Sequence, residues 1–289
     1  MEKRERSIIR MGFLMLPVLC LLSFCRCSPP REKFIGIQLW SVNDDMQRDA
    51  PATIARIGKI GYKFVEAAGY ADGKFYGMEP VAFKNLVEAN GMTFLGSHGG
   101  QYLPDSASRG TIMQWWDQCV AAHRLAGVKY MVQASMGQHA YRSLDTLKMY
   151  CDYFNEVGAK LKAAGIQFGY HNHAREFDTV LDGHTIYEYM LENTDPDLVI
   201  FELDLYWMKE GGGDPARYVE KYPGRFVLYH VKDQAELGAS GKMDFKQAFD
   251  LAGKAGMKYY VVEVEEYNFE PLVSIEKSFD FLNQATYVK

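Results

Sequence analysis

Two histidines stand two positions apart in the stretch "GYHNHAREF", residues 169–177, where an apolar run ends. Side chains two positions apart on a strand share one face, so His171 and His173 would point the same way. Imidazoles placed in this way can ligate a metal ion or act as bases, and they can also simply close a strand. The rest of the chain narrows these three roles.

Other ionisable side chains also end apolar runs. Four of the 7 histidines stand there, which is more clustering than a random distribution gives. The full set is Glu66, His98, His171, His173, Glu202, Asp204, His230, Lys232, Asp233, Glu263, Glu265 and Glu266. Carboxylate and imidazole ligands together suit Mn²⁺, Fe²⁺, Co²⁺ or Zn²⁺. If the runs are parallel strands, these residues meet at one polar mouth that could hold such an ion.

Eight apolar runs would position these residues, and segments with apolar residues at helical spacing separate them. The runs cover residues 34–39, 63–67, 92–97, 129–134, 166–171, 198–203, 226–231 and 259–264. Several helical segments end at a glycine suited to a left-handed cap, such as Gly127 and Gly256. Continuous apolar strands joined by helices indicate a parallel sheet, and eight units fit a closed barrel. We therefore expect one α/β domain, a (β/α)8 TIM barrel, over residues 34–289.

Residues 1–27 predict an export signal, because a basic start precedes the apolar run "MGFLMLPVLCLLSF". At 14 residues this run is short for a membrane-spanning helix, which needs about 20; an uncleaved anchor is the alternative. Cys25 and Cys27 resemble a loosely written lipoprotein cleavage site, and residues 28–33 would form a short linker. We expect an exported protein that is periplasmic or anchored to the membrane through an N-terminal lipid.

The net charge of the chain is acidic, at −5. Loss of the signal would make it more acidic still, because that segment is basic. An acidic protein binds polyanions poorly, so we expect no nucleic-acid partner. Cys119 and Cys151 are the cysteines that remain after the signal, both in helix-like segments, and they imply no disulfide framework.

The phrases "GYHNHAREF", "LENTDPDLVIFELDLYWM", "KYPGRFVLYHVKD" and "KYYVVEVEEYN" follow one another along the chain. They resemble the sugar isomerases and epimerases of the xylose isomerase-like barrels, a superfamily that also contains endonuclease IV. Members of this group commonly bind one divalent metal ion through glutamate, aspartate, histidine and glutamate on strands five to eight. The resemblance therefore implies a metal site at His171, Asp204, His230 and Glu263.

His171 departs from the family pattern, since many relatives have glutamate at that position. A histidine can still ligate, and it makes the ligand set softer and one charge less negative. We take His171 as the ligand and His173 as a residue near the substrate; the reverse assignment, or structural roles for both, stays open. Trp207 is a second departure, because epimerases of the group often carry a substrate-binding histidine there.

The catalytic candidates share a position at or just after a strand end. They are Glu66, His98, His173, Glu176 and Lys232. Structural alternatives exist: Glu66 could face a helix, and Lys232 could form a solvated pair with Asp233. His98 stands among glycines in "GSHGG", which allow a close approach of the backbone.

The resemblance and the export signal together imply a metal-dependent isomerase or epimerase for an unphosphorylated keto sugar or keto glycoside. One divalent ion, the expected cofactor, would stabilise the enediolate formed when the carbon beside the carbonyl loses its proton. Expulsion of a β-hydroxyl would instead make the protein a 3-keto-sugar lyase, or a hydratase in reverse. A sugar-binding lipoprotein without turnover is the alternative from another class. Trp40, Tyr70, Tyr102 and Trp207 would suit walls on which a sugar packs, although half or more of such a set is expected to belong to the core.

Overall fold

The computed structural model describes residues 32–289, so the predicted signal peptide and most of the predicted linker lie outside the described residues. Eight parallel strands form a closed barrel, which confirms the predicted fold. They are β1 (Gly36–Gln38), β2 (Phe64–Ala67), β3 (Thr93–His98), β4 (Tyr130–Gln133), β5 (Gln167–His171), β6 (Val199–Asp204), β7 (Phe226–Lys232) and β8 (Tyr259–Glu263). Strand β1 pairs with both β2 and β8, which closes the sheet.

Helices connect the strands and cover the outside of the barrel. They are α1 (Asn43–Ile60), α2 (Pro80–Ala89), α3 (Arg109–Ala126), α4 (Leu144–Ala163), α5 (Arg175–Asp178), α6 (Ile186–Asn193), α7 (Leu205–Glu210), α8 (Pro215–Lys221), α9 (Phe245–Asp250), α10 (Ala252–Ala255) and α11 (Pro271–Gln284). Helix α3 ends at Gly127, whose φ of 74° is the left-handed cap that the sequence predicted.

The short helices α6, α7 and α8 each begin at a side-chain cap. The Thr185 side chain accepts a hydrogen bond from the Glu188 N–H at the start of α6. The Asp214 side chain caps α8 in the same way through the Ala216 N–H. Such caps satisfy amide groups that the first turn of a helix leaves unpaired.

Side chains inside the barrel form two layers. The lower layer is apolar and includes Phe64, Leu95, Tyr130, Val132, Ile200, Leu228 and Val261. Gly36 and Gly96 leave room for its rings, because an added Cβ would lie 2.2 Å from the Phe64 ring and 2.1 Å from the Tyr130 ring. Residues two positions further along β2, β6, β7 and β8 face the same way and belong to a polar layer: Glu66, Glu202, His230 and Glu263. His98, two positions after Gly96 on β3, contacts two of them and belongs to the same layer. The apolar layer therefore closes the barrel beneath the polar one.

The outer face of the sheet packs against the helices and forms the larger core, with side chains such as Phe168 and Tyr170 fully buried. Among residues 32–289, no helix is both long enough and apolar enough to span a bilayer. Cys119 and Cys151 are both buried and free.

Candidate active site and metal centre

The register of the sheet brings the polar strand ends side by side. His171 on β5 lies opposite Glu202 on β6, and Asp204 lies opposite His230 on β7. Lys232 in turn lies opposite Glu263 on β8. The strand ends therefore meet at one mouth, at the end of the barrel where TIM barrels carry their active sites.

Three atoms of ligand type converge in what we call the Asp204 group, formed by Asp204, His230 and Glu263. Nδ1 of His230 lies 3.4 Å from Oδ2 of Asp204 and 3.4 Å from Oε2 of Glu263. Two donors in a tetrahedral site with bonds of about 2.1 Å are about 3.4 Å apart. Oδ2 of Asp204 and Nδ1 of His230 are buried without a hydrogen-bond partner. The Asp204 group therefore fits a divalent ion, and its donors suit Mn²⁺, Fe²⁺, Co²⁺ or Zn²⁺.

A second set of atoms faces the other nitrogen of the His230 ring. Nε2 of His98 lies 2.7 Å from Oε2 of Glu202 and 2.9 Å from Oε1 of Glu66. Nδ1 of His171 lies 3.1 Å from the same Glu202 oxygen. We call His98, His171, Glu202 and His230 the Glu202 group, because their ligand atoms all lie within 4.8 Å of one another.

Burial and close charges shift several pKa values in the mouth. Burial opposes protonation of His98, but the carboxylates of Glu66 and Glu202 raise its pKa to about 10. Burial favours protonation of Glu263, yet the neighbouring His230 lowers its pKa to about 2. Burial and the neighbouring histidines lower the pKa of His171 well below its ordinary value. In the absence of an ion, His98 is therefore protonated, Glu263 is ionised and His171 is neutral.

His171 stands apart from the other three predicted ligands. Its ring does not belong to the Asp204 group, and its Nδ1 faces Glu202 instead. Glu202 is its neighbour in register on β6, so an imidazole at this position has a carboxylate partner closer than Asp204. The structure thus assembles three of the four ligand positions that the family resemblance implied.

His173 and Glu176, both predicted near the chemistry, have different surroundings. His173 lines the cavity above the mouth, whereas Glu176 is buried and does not line it. Oε2 of Glu176 accepts the backbone N–H of His173 at 2.8 Å. Its Oε1 accepts the hydroxyls of Tyr141 at 2.5 Å and Tyr170 at 2.7 Å. Glu176 therefore fixes the segment that carries His173.

The structural roles that the sequence left open for Glu66 and Lys232 are wrong. Glu66 does not face a helix: it is fully buried inside the barrel, where it contacts His98 and accepts a hydrogen bond from Gln38 Nε2 at 2.6 Å. Lys232 and Asp233 do not form a solvated pair, because both are buried. Lys232 Nζ instead lies 2.7 Å from Oε2 of Glu265, at the rim.

Asn172 is a site residue that the sequence did not single out. It stands between the two histidines of the "HNH" phrase. Its Nδ2 donates to the Asp204 carbonyl at 3.2 Å, and its Oδ1 accepts the Asp204 N–H at 3.1 Å. The sequence does show a polar residue between two candidate ligands, and that pattern could have pointed to Asn172. Its partner, Asp204, depends on how β5 and β6 are aligned, which the sequence alone does not show.

A cavity of about 560 Å³ opens over the mouth, within the size range of small-molecule sites. His98, His171, His173 and Glu263 line it on the side of the mouth. The rest of the lining includes Glu265 together with aromatic and neutral polar side chains: Trp40, Gln101, Tyr102, Gln133 and Ser135. In the described part of the chain, no lysine or arginine belongs to this lining.

The fold and the position of the mouth place the chain among the (β/α)8 barrels with a site at the carboxyl ends of their strands. The sequence profile of the xylose isomerase-like TIM barrel matches residues 54–285. The chain belongs to this family, which confirms the resemblance of its motifs.

Two solved structures from Parabacteroides distasonis ATCC 8503, both described as sugar phosphate isomerase/epimerase, are similar to this chain. One has 32% identity over 89% of this chain and 100% of its own, with a TM-score of 0.83. The other has 34% identity over 89% and 96%, with a TM-score of 0.82. The 3-keto-D-glucoside 4-epimerase YcjR from E. coli shares the fold at 18% identity over 88% and 100%, with a TM-score of 0.67. Among curated proteins, none matches this chain.

Proposed function

We propose that the protein is a metal-dependent isomerase or epimerase that acts on an unphosphorylated keto sugar or keto glycoside. The description of the two Parabacteroides proteins supports the reaction class. The residues that line the cavity are the reason for proposing an unphosphorylated substrate. Proteins bind phosphate groups through arginine, lysine or helix N-termini, whereas this lining contains Glu263 and Glu265 and no basic residue of the described chain except histidine.

Asp204, His230 and Glu263 would hold the divalent ion, which polarises the substrate carbonyl when bound. His173 is then the side chain that we assign to accept the proton of the neighbouring carbon. Its ring lines the cavity, and Glu176 holds its backbone N–H. An imidazole can take up and return a proton near neutral pH, as an isomerase requires.

The remaining cavity residues suit the recognition of a sugar. Trp40 and Tyr102 are 49% and 54% exposed, so they present aromatic surface to a bound ligand. Oε1 of Gln133 is buried beside the cavity without a hydrogen-bond partner, and it can accept a hydrogen bond from a sugar hydroxyl. Apolar faces with a few polar groups are typical of small-molecule sites.

The test uses residues 28–289, the chain without its predicted signal peptide, which we call the mature chain. It is loaded with Mn²⁺, Co²⁺ or Zn²⁺ in turn and given pairs of keto sugars that differ only by a phosphate group. We also include 3-keto glycosides, and mass spectrometry and NMR identify the products. The proposal predicts a product of unchanged mass from the unphosphorylated member of a pair. Turnover of phosphorylated sugars alone would contradict it. A product that has lost one water from a free keto sugar, or the aglycone alcohol from a keto glycoside, would assign the lyase reaction instead.

Asp204→Asn is the variant that tests the role of the metal ligand, because it keeps the shape of the side chain and removes its charge. Its Oδ1 can still accept the Trp207 N–H that Asp204 accepts at 2.6 Å, so the start of α7 is retained. We expect loss of turnover without loss of the fold, measured by circular dichroism.

A further inference from the structure

We propose that the Glu202 group is a second divalent-cation site, distinct from the Asp204 group. His98, His171 and Glu202 provide its ligands. Nε2 of His230 keeps the ring proton when Nδ1 binds the first ion, and it faces Oε1 of Glu66 at 3.5 Å. The chemistry of these donors points to Zn²⁺ or Co²⁺, because imidazole nitrogen dominates the set.

The distances within the group are compatible with a shared ion. Oε2 of Glu202 lies 2.7 Å from Nε2 of His98 and 3.1 Å from Nδ1 of His171. The four ligand atoms lie within 4.8 Å of one another. Donors with metal bonds of about 2.0–2.2 Å can be at most about 4.4 Å apart, so small side-chain shifts bring the His98, His171 and Glu202 atoms to one ion.

Unsatisfied buried atoms provide an independent observation. Oε1 of Glu202, Oε2 of Glu66 and Nε2 of His230 have no hydrogen-bond partner in the protein. All three residues are fully buried, so water does not reach these atoms from the surface. A buried polar group without a partner costs about 1–3 kcal/mol, and more when it is charged. Each of the two carboxylates therefore has, besides the oxygen that contacts His98, a second buried oxygen that a bound cation would satisfy.

The ring of His230 separates the two groups. Its Nδ1 lies 3.4 Å from Asp204 and Glu263 oxygens, whereas its Nε2 lies 3.5 Å from Oε1 of Glu66 and 3.9 Å from Oε2 of Glu202. No other residue belongs to both groups. A substitution in one group therefore leaves the remaining donors of the other in place.

An entry path to the second site exists from the cavity. His98 and His171 both line it, and the His98 side chain is 13% exposed. An ion can therefore reach the Glu202 group without opening of the barrel. This site also gives His171 a ligand role other than the one implied by the family resemblance.

The experiment counts bound Zn²⁺ on the untagged mature chain, after treatment with a chelator, reloading and gel filtration. The expected results are two ions per chain for the wild type, one for His98→Ala and one for Asp204→Asn. His184→Ala is the matched control, since His184 is an exposed histidine outside the mouth, and it should keep two ions. No substrate is present, so the result does not depend on the proposed activity.

The proposal would be overturned if the wild type bound one ion and His98→Ala also bound one. Hydrogen bonds alone would then hold the side chains of the Glu202 group together. Two ions in His98→Ala would overturn it equally. Anomalous diffraction from Zn²⁺-loaded crystals of the wild type covers the case in which a variant fails to fold. We expect one peak between His98, His171 and Glu202 and another at the Asp204 group, and a peak at the Asp204 group alone would contradict the proposal.

Discussion

The side chain of Asn172 holds the backbone of Asp204 by two hydrogen bonds, one to its carbonyl at 3.2 Å and one from its N–H at 3.1 Å. Asn172 follows β5 directly, and Asp204 ends β6. The position of the Asp204 carboxylate in the mouth therefore depends on a residue that contributes no ligand atom to it. Residues that hold a ligand in this way contribute to metal affinity although they do not bind the ion themselves.

Replacement of Asn172 by alanine should weaken both the fold and the metal centre. Loss of two buried hydrogen bonds should lower the free energy of unfolding by about 1–3 kcal/mol, measured with urea. Affinity for Mn²⁺ should fall by about 10-fold to 100-fold. Asn155→Ala is the control, since Asn155 accepts one hydrogen bond from the Asp195 N–H at the surface. Unchanged Mn²⁺ affinity in Asn172→Ala would contradict the positioning role.

A cation at the Asp204 group should stabilise the fold. Ligands that bind only the native state raise its stability, by about 2.7 kcal/mol at a hundredfold excess over Kd. We therefore expect added Mn²⁺ to raise the midpoint of thermal unfolding of the chelator-treated wild type. Asp204→Asn and Glu263→Gln should reduce this rise strongly. Equal shifts in the wild type and both variants would place the bound ion elsewhere.

Glu176→Gln separates a positioning role from an acid or base role. Glu176 is buried and accepts hydrogen bonds from Tyr141, Tyr170 and the backbone of His173, so its loss should destabilise the fold by about 1–3 kcal/mol. Tyr141→Phe, which removes one of these bonds, should have a smaller effect in the same direction. Both limbs of the pH profile of turnover should remain in Glu176→Gln. Disappearance of one limb would make Glu176 a catalytic acid or base.

His123 should make stability depend on pH. Its Nδ1–H donates to the Cys119 carbonyl at 2.7 Å, and its Nε2 accepts the Ser97 hydroxyl at 2.6 Å. Burial lowers its pKa from 6.5 to about 4. Between these values the unfolded chain binds a proton that the folded chain does not, so stability falls as pH falls, by at most about 3 kcal/mol.

Urea unfolding at several pH values between 7 and 5 measures this dependence. We expect the free energy of unfolding to depend less steeply on pH in His123→Gln than in the wild type, because the contribution of His123 is lost. Some dependence should remain, because the other histidines contribute in both proteins. His184→Gln, at an exposed histidine, should keep the wild-type slope. The same slope in His123→Gln and the wild type would mean that His123 titrates normally in the fold.

The barrel and its polar mouth could be predicted because strands buried on both sides produce continuous apolar runs. Each of the eight runs coincides with a strand to within two residues at either end, and ionisable residues at their ends do meet. Asp204, His230 and Glu263 were predicted as ligands and lie together. Their place at strand ends predicted that they would meet at one mouth, and the family resemblance implied their role as ligands.

Other features depend on information that a local pattern does not contain. Alternation along a strand does not reveal which face points inward; the packing of Phe64 and Tyr130 against glycines decides it. Helices α5 to α8 contain too few turns for a clear helical period. The contact between His171 and Glu202 follows from the register of β5 against β6, which is a long-range property.

Hydrogen exchange at the carbon beside the substrate carbonyl tests the proposed function most directly. The metal-loaded wild type is incubated in D₂O with an unphosphorylated keto sugar or a 3-keto glycoside, and NMR follows the proton at that carbon. We predict exchange that depends on the enzyme and falls by about 100-fold or more in Asp204→Asn. Absence of enzyme-dependent exchange with every keto sugar and keto glycoside tested, at saturating metal, would contradict proton abstraction at this mouth.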